Sequence, residues 1–336
     1  MDCRYIWKGS FFMENEVEKE NTKALLAIRE VEKAVVGKED CIVKIMAAIL
    51  AGGHILLNDI PGVGKTTMAM AFAKAMDLQT KRIQFTPDVL PSDVLGFSIY
   101  SKETGQFLFQ QGPIFCNLLL ADELNRTSPK TQSALLEAME EGKASVEGET
   151  RQLPVPFIVI ATQNPCGSAG TQLLPESQMD RFMISLSMGY PLPEDEISIL
   201  KGEGSKRALE EIVPVMGGSN ILLTLRQKTQ MIYLHDAMYE YIMKLVTQTR
   251  EHSLLELGIS PRGSLAIVKM AKAMAFLRGR EFVIAEDVED IFTNTAAHRL
   301  VLTMRARAGK KRAEQITEEI IKSVKKPTIR RNYGGN

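Results

Sequence analysis

The chain is poor in several things. It has four cysteines in 336 residues, Cys3, Cys41, Cys116 and Cys166, and no two have C-x-x-C spacing. That spacing excludes a zinc ribbon and a disulfide framework, and it suits a reducing cytosol. It has no charge of one dominant sign, because 41 basic residues balance 41 acidic ones. There is therefore no global field to steer the protein onto nucleic acid or an anionic membrane. The basic stretch from Arg305 to Arg331 reads as a solvated helix face and a tail. No apolar run approaches the length of a membrane span, and no internal repeat is present. The opening residues lack a continuous apolar stretch and a small-residue cleavage site, so a secretory leader is not expected. Residues 1–13 read as an N-terminal extension, with Met13 as a candidate initiator.

What is present is an alternation of buried strands and helices. Residues 14–34 and 40–51 read as helices joined by the turn "VVGKED". "GGHILLND" is a short apolar run bounded by glycines and reads as a buried parallel strand. "PGVGK" then turns into the alanine-rich helix "KTTMAMAFAKAM". "NLLLADE" (117–123) and "PFIVIAT" (156–162) read as two further buried strands, each ending in polar residues. Between them Ser128-Pro129 has the chemistry of a helix start and Gly142 that of a helix stop. Two hairpins are expected at 97–109 and 144–153. Past Pro193 helical periodicity takes over. The expectation is an α/β nucleotide-binding core over 14–193 and a small helical lid over 194–336.

Ligands of open α/β sheets bind at the carboxyl ends of the strands. Three such ends carry chemistry. The first is the loop "NDIPGVGKTTM", in which Pro61 makes the turn and the N–H groups of Gly62, Val63 and Gly64 precede Lys65 and Thr66. Lys65 puts a positive charge at a helix start, and Thr66 and Thr67 supply hydroxyls. Asp59 stands where the general phosphate-loop pattern has glycine. The second end carries Asp122-Glu123, a pair suited to orienting a magnesium ion and polarising a water. The third carries Asn164, a neutral hydrogen-bonding side chain beside the same place. Each signal alone is common. In this order they point to nucleotide hydrolysis.

The stretches "NDIPGVGKTT", "LLLADELNRTSPKTQSALLEAMEE", "FIVIATQNP", "LLPESQMDRF" and "GISPRGSLAIVKMAKAMAFLRGREFV" together resemble the MoxR-type AAA+ ATPases, over residues 35–302. Asp59 is itself usual in that family. The resemblance implies a P-loop NTPase (AAA+) core with a parallel sheet and a helical lid, using ATP and Mg2+. It implies Lys65 and Thr66 as Walker A, with Thr66 and Asp122 holding the metal. It also implies Glu123 as the water-polarising acid, Asn164 as sensor 1, Arg181 as an arginine finger reaching a neighbouring subunit, and Arg262 as sensor 2 facing the cleft. Arg126 is a second candidate for acting across the interface, and a surface ion pair with Asp180 or Glu176 is the alternative for Arg181. Val36 and Gly37 would lie against the adenine. The hairpins would project toward substrate. A homo-oligomeric ring, expected to be a hexamer, would remodel partner protein complexes, often with a von Willebrand factor type A domain protein. The rival readings are weaker. A guanine-nucleotide switch would need N-K-x-D, which the sequence does not contain, and the neutral net charge and lack of an added DNA-binding domain count against a DNA-directed AAA+ motor or loader.

Overall fold

The structure is a computed structural model that describes residues 21–59, 62–164, 174–201 and 206–327. The proposed N-terminal extension and Pro61 lie outside the described residues. Helices α1 (Thr22–Ala34) and α2 (Glu39–Leu50) precede strand β1 (Ile55–Asn58) and helix α3 (Lys65–Met76). Strand β2 (Thr80–Gln84) and the short α4 (Pro91–Leu95) lead into a hairpin, β3 (Gly96–Ser101) with β4 (Gln106–Gln111). Strand β5 (Leu118–Asp122) and helix α5 (Pro129–Glu141) come next, then a second hairpin, β6 (Lys143–Val146) with β7 (Glu149–Gln152). The sheet is completed by β8 (Ile158–Gln163) and, after the single turn α6 (Glu176–Met179), by β9 (Ile184–Leu186).

From there the described chain is mainly helical: α7 (Pro193–Leu200), α8 (Lys206–Glu211), α9 (Gly218–Met231) and α10 (Asp236–Glu251), followed by β10 (Leu255–Leu257). Helices α11 (Pro261–Leu277) and α12 (Ala285–Ala296) come before β11 (Val301–Leu302), with α13 (Met304–Ala308) and α14 (Ala313–Ser323) last. The antiparallel β10–β11 pair departs from the all-helical expectation for this half. Strands of two and three residues are too short to leave a period in the sequence.

Five strands form one parallel sheet in the order β2-β5-β8-β1-β9. The three central strands are buried on both faces, and their residues alternate strictly between two apolar clusters. Leu118, Leu120, Ile158, Ile160, Ile55 and Leu57 face α1, α2 and α3, while Leu119, Ala121, Val159, Ala161 and Leu56 face α5. This is the period of two that a pleated strand imposes. Small residues let α3 come close to its neighbours: Ala69, Ala71, Ala73 and Ala75 are all buried. Helix α5 is capped as its sequence dictates. Ser128 Oγ accepts the Thr131 N–H at 3.3 Å, and Gly142 follows the last turn in the left-handed region. Such a cap stabilises a helix by about 1 kcal/mol.

The sheet topology sets two distinct ends. The carboxyl ends of β1, β5 and β8 lie side by side, at Asn58, Asp122 and Gln163. At the amino end, His54 precedes β1, and its carbonyl accepts the Met183 N–H at 2.8 Å just before β9. Helix α5 starts after β5 and runs back to this amino end, about 20 Å for thirteen residues.

Candidate functional site

The loop after β1 turns through Gly62 (φ 86°) and Gly64 (φ 90°) and delivers Lys65 as the first residue of α3. Glycine is required there by the backbone, since neither position would meet a crowding atom within 3.5 Å if it carried a Cβ. The first-turn amides of a twelve-residue helix therefore open onto the carboxyl end of the sheet, where anions bind. Lys65 is half-buried, and its ammonium donates to the Asp59 carbonyl at 2.6 Å. Burial holds its pKa below the usual lysine value, opposed by the nearby charges of Asp59, Asp122 and Glu123. Thr67 follows in the same first turn.

Thr66 Oγ1 donates to Asp122 Oδ2 at 3.3 Å, so a hydroxyl and a buried carboxylate from different elements face each other. This is a hard oxygen pair, which suits Mg2+ held by one carboxylate and completed by phosphate and water. Asp122 is fixed on its other oxygen by the Thr162 hydroxyl at 2.8 Å, and Thr162 Oγ1 in turn accepts the Glu123 N–H at 2.9 Å. Glu123 itself sits in the left-handed region (φ 55°). A non-glycine residue held there costs on the order of 1–3 kcal/mol, and such strain concentrates at functional sites. Its Oε2 accepts from Gln84 Nε2 at 2.8 Å and from Arg126 Nη1 at 2.7 Å. Asn164 closes the group: its N–H donates to Asn125 Oδ1 at 3.4 Å and its carbonyl accepts from Asn125 Nδ2 at 3.2 Å. Beside it the buried Gln163 Oε1 has no hydrogen-bond partner among the described residues.

Three residues of this end, Arg82, Gln84 and Thr162, are not evident from sequence. Arg82 forks onto Asp122 Oδ2 with Nε at 3.0 Å and Nη2 at 2.7 Å. Gln84 is brought opposite Asp122 by the parallel β2–β5 register. Both stand on β2, whose alternating "TKRIQ" has no buried apolar run to mark it as a strand. Thr162 was hidden inside an apolar strand. Asp59 stands in glycine's place, and its buried Oδ2 accepts from Ser187 Oγ at 3.3 Å, from Gly189 N–H at 2.7 Å and from Met188 N–H. Lys38 Nζ holds the same segment from the other side, through the carbonyls of Met188 (2.5 Å) and Tyr190 (2.9 Å). The Val36-Gly37 turn is thereby brought near the start of the phosphate loop. The Asp195 carboxylate packs so closely on Gly37 that a Cβ there would collide with it.

Arg181 and Arg262 are elsewhere. Both pair with Glu140, next to the last residue of α5, Arg181 Nη1 at 3.2 Å. With His54 and Met139 they line a cavity of about 120 Å³ at the amino end of the sheet. Strand β1, four residues or about 13 Å long, separates this cavity from the phosphate loop. The expectation that Arg262 faces its own chain's cleft is corrected here: Ser260 does cap α11, but α11 starts at the opposite end of the sheet. Arg181 pairs with Glu140, and Asp180 is taken by Arg299 Nε at 2.7 Å.

Residues 54–184 match the ATPase family associated with various cellular activities (AAA), and residues 247–320 match the AAA lid domain. The chain is 37% identical over 312 residues to chaperone MoxR1 of Mycobacterium tuberculosis (strain ATCC 25618 / H37Rv), an alignment covering 90% of this chain and 82% of that one. The chain belongs to the MoxR family of AAA+ ATPases. It is also 47% identical over 304 residues to YeaC of Bacillus subtilis (strain 168), covering 90% of this chain and 95% of that one. A crystal structure from Cytophaga hutchinsonii ATCC 33406 superposes with a TM-score of 0.85 at 35% identity, over 93% of this chain and 97% of that one. The MoxR-family assignment makes the protein a nucleotide-binding ATPase with a parallel-sheet core and a C-terminal helical lid.

Proposed function

We propose that the protein is one subunit of a homo-oligomeric ring, a hexamer, that hydrolyses ATP at sites shared between neighbours and uses the cycle to remodel partner protein complexes. In this reading residues 14–193 are the nucleotide-binding core and 194–336 the lid. ATP lies across the carboxyl end of the sheet. The amides of Gly62, Val63 and Gly64, together with Lys65, Thr66 and Thr67, take the phosphates, and Val36 and Gly37 border the adenine. Thr66 and Asp122 would hold Mg2+, which supplies neutralisation of phosphate charge when bound. Glu123 polarises the attacking water once its carboxylate leaves Gln84 and Arg126, and Asn164 orients that water.

The observation that carries this reading is the position of Arg181 and Arg262 together at the amino end of the sheet, away from their own phosphate loop. That position supports service to a nucleotide held by another subunit, where a guanidinium stabilises transition-state charge. Exposed apolar side chains on the β3–β4 hairpin, Phe107 at 72% and Tyr100 at 54%, support contact with a protein client. A von Willebrand factor type A domain protein is the partner class we favour. The free Cys41 and Cys116 suit a cytosolic setting, and no helix among the described residues is long and apolar enough to cross a membrane. The balanced charge gives no support to a DNA-directed motor.

Mixing tests the shared site. Glu123→Gln and Arg181→Ala should each lower kcat at least about 10²-fold alone. Mixed subunits should recover part of the activity, because Glu123→Gln lends its arginines to the intact pocket of Arg181→Ala. Absence of recovery at every mixing ratio would remove the shared site.

A further inference from the structure

Arg299 lies in a tight turn after α12, only 4% exposed, and every N–H of its guanidinium has an acceptor. Nε donates to Asp180 Oδ1 at 2.7 Å. Nη2 donates to the carbonyls of Phe182 at 2.6 Å and Asp180 at 3.4 Å. Nη1 donates to the Met183 carbonyl at 3.3 Å and to that of Thr295. Four of these acceptor atoms belong to 180–183, the segment that carries Arg181.

The same network continues into α11. The Asp180 carboxylate accepts the Ser260 hydroxyl at 3.0 Å, and Ser260 Oγ caps α11 by accepting the Gly263 N–H at 3.1 Å. The aliphatic stem of Arg299 also lies directly against Gly263, where a Cβ would stand 2.8 Å from Arg299 Cδ. Arg262 is the residue between this cap and this contact. A buried charge with five fixed partners is a costly way to fill space, since apolar side chains of similar volume pack as well. What a planar fork supplies in return is one defined geometry.

We propose that Arg299 is a positioning residue: it locks the Arg181 segment to the start of α11, so that Arg181 and Arg262 are presented as one rigid pair to the neighbour's nucleotide. This rests on the shared-site reading above. All of the Arg299 guanidinium donors are spent on its own chain. It acts through the backbone it holds, and it joins the two interface arginines to α12 through Thr295, so a shift of the helical half carries both together.

The test uses full-length Arg299→Lys, which keeps the charge but cannot serve five acceptors. ATP affinity, read with a fluorescent ATP analogue, should stay within twofold of the parent, while kcat falls at least tenfold. Mixing with Glu123→Gln should restore activity to Arg299→Lys as it does to Arg181→Ala, because the defect lies only in the arginines that a subunit offers to its neighbour. If Arg181→Ala is rescued and Arg299→Lys is not, or if kcat of Arg299→Lys stays within twofold of the parent, the proposal is overturned while the shared site stands. If Arg181→Ala itself is not rescued, the shared site fails and the proposal falls with it. Should Arg299→Lys yield no folded protein, the isosteric Asp180→Asn carries the same measurements and the same outcomes.

Discussion

The Asp59 side chain serves the loop by holding the 187–189 segment beside it. Its carboxylate gathers the Ser187 hydroxyl and the amides of Met188 and Gly189, and its carbonyl receives Lys65. Replacing it with glycine would restore the general phosphate-loop pattern and leave two amides and a hydroxyl with no acceptor. Unsatisfied buried donors cost about 1–3 kcal/mol each. Only the Met188 N–H is fully buried, so we expect Asp59→Gly to lower stability in chemical denaturation by about 1–3 kcal/mol and to raise the KM for ATP several-fold. Asp59→Asn, which keeps one acceptor oxygen, should fall between. A glycine variant with unchanged KM and midpoint would show that the carboxylate is idle. The nucleotide loop was legible in sequence because glycine, lysine and hydroxyl sit at fixed short spacing. The clamp was not, because its partners are 128 to 130 residues away and are brought in only when β9 joins β1.

At the scale of elements, buried apolar strands were legible and polar or short ones were not. The central strands β1, β5 and β8 each read as an apolar run, whereas β2 alternates exposed and half-buried residues and β9 has only three. The amino ends of the central strands carry a second polar device. His54 Nδ1 accepts the Val159 N–H at 3.0 Å, so Nε2, 3.0 Å from the Met139 carbonyl, must carry the proton. A neutral imidazole thus joins β1, β8 and the end of α5. Burial pushes its pKa down to about 4 from the ordinary 6.5. The depressed value belongs to the folded state, so the unfolded chain binds more protons between these limits. His54 therefore takes nothing from stability above about pH 6.5, and its penalty grows as pH falls to about 4, reaching on the order of 3 kcal/mol. Denaturation free energies measured from pH 7.5 down to 4.5 should decline, and His54→Gln should flatten that decline. An equal slope in the variant would assign the effect to other groups, of which the buried His298, shifted the same way by burial, is the first to examine.

For the whole molecule, the division into core and lid describes connectivity better than packing. One apolar cluster runs from the sheet face through α1 and α2 into the helical half, joining Val31 and Ile45 to Leu225, Ile267 and Met270. Polar stitches cross the same boundary. The Asn21 side chain donates to the carbonyls of Phe276 and Leu277 at the end of α11, and Arg226 Nε donates to the Ile49 carbonyl at 2.8 Å. Loss of either half would expose the apolar face of the other, at about 25 cal/mol per Å² of newly wetted surface. The two halves should therefore unfold together even though the chain is long enough for two independent units. Calorimetry should show one transition whose calorimetric and van't Hoff enthalpies agree. A slowly hydrolysed ATP analogue should move that transition as a whole, by about 2.7 kcal/mol at one hundred times its Kd. Two separated transitions, with only the first moved by nucleotide, would mean that the shared cluster does not bind the halves into one cooperative unit. Lid motion during the ATP cycle would then come from breaking that cluster. A single transition means instead that the two halves shift with that cluster intact.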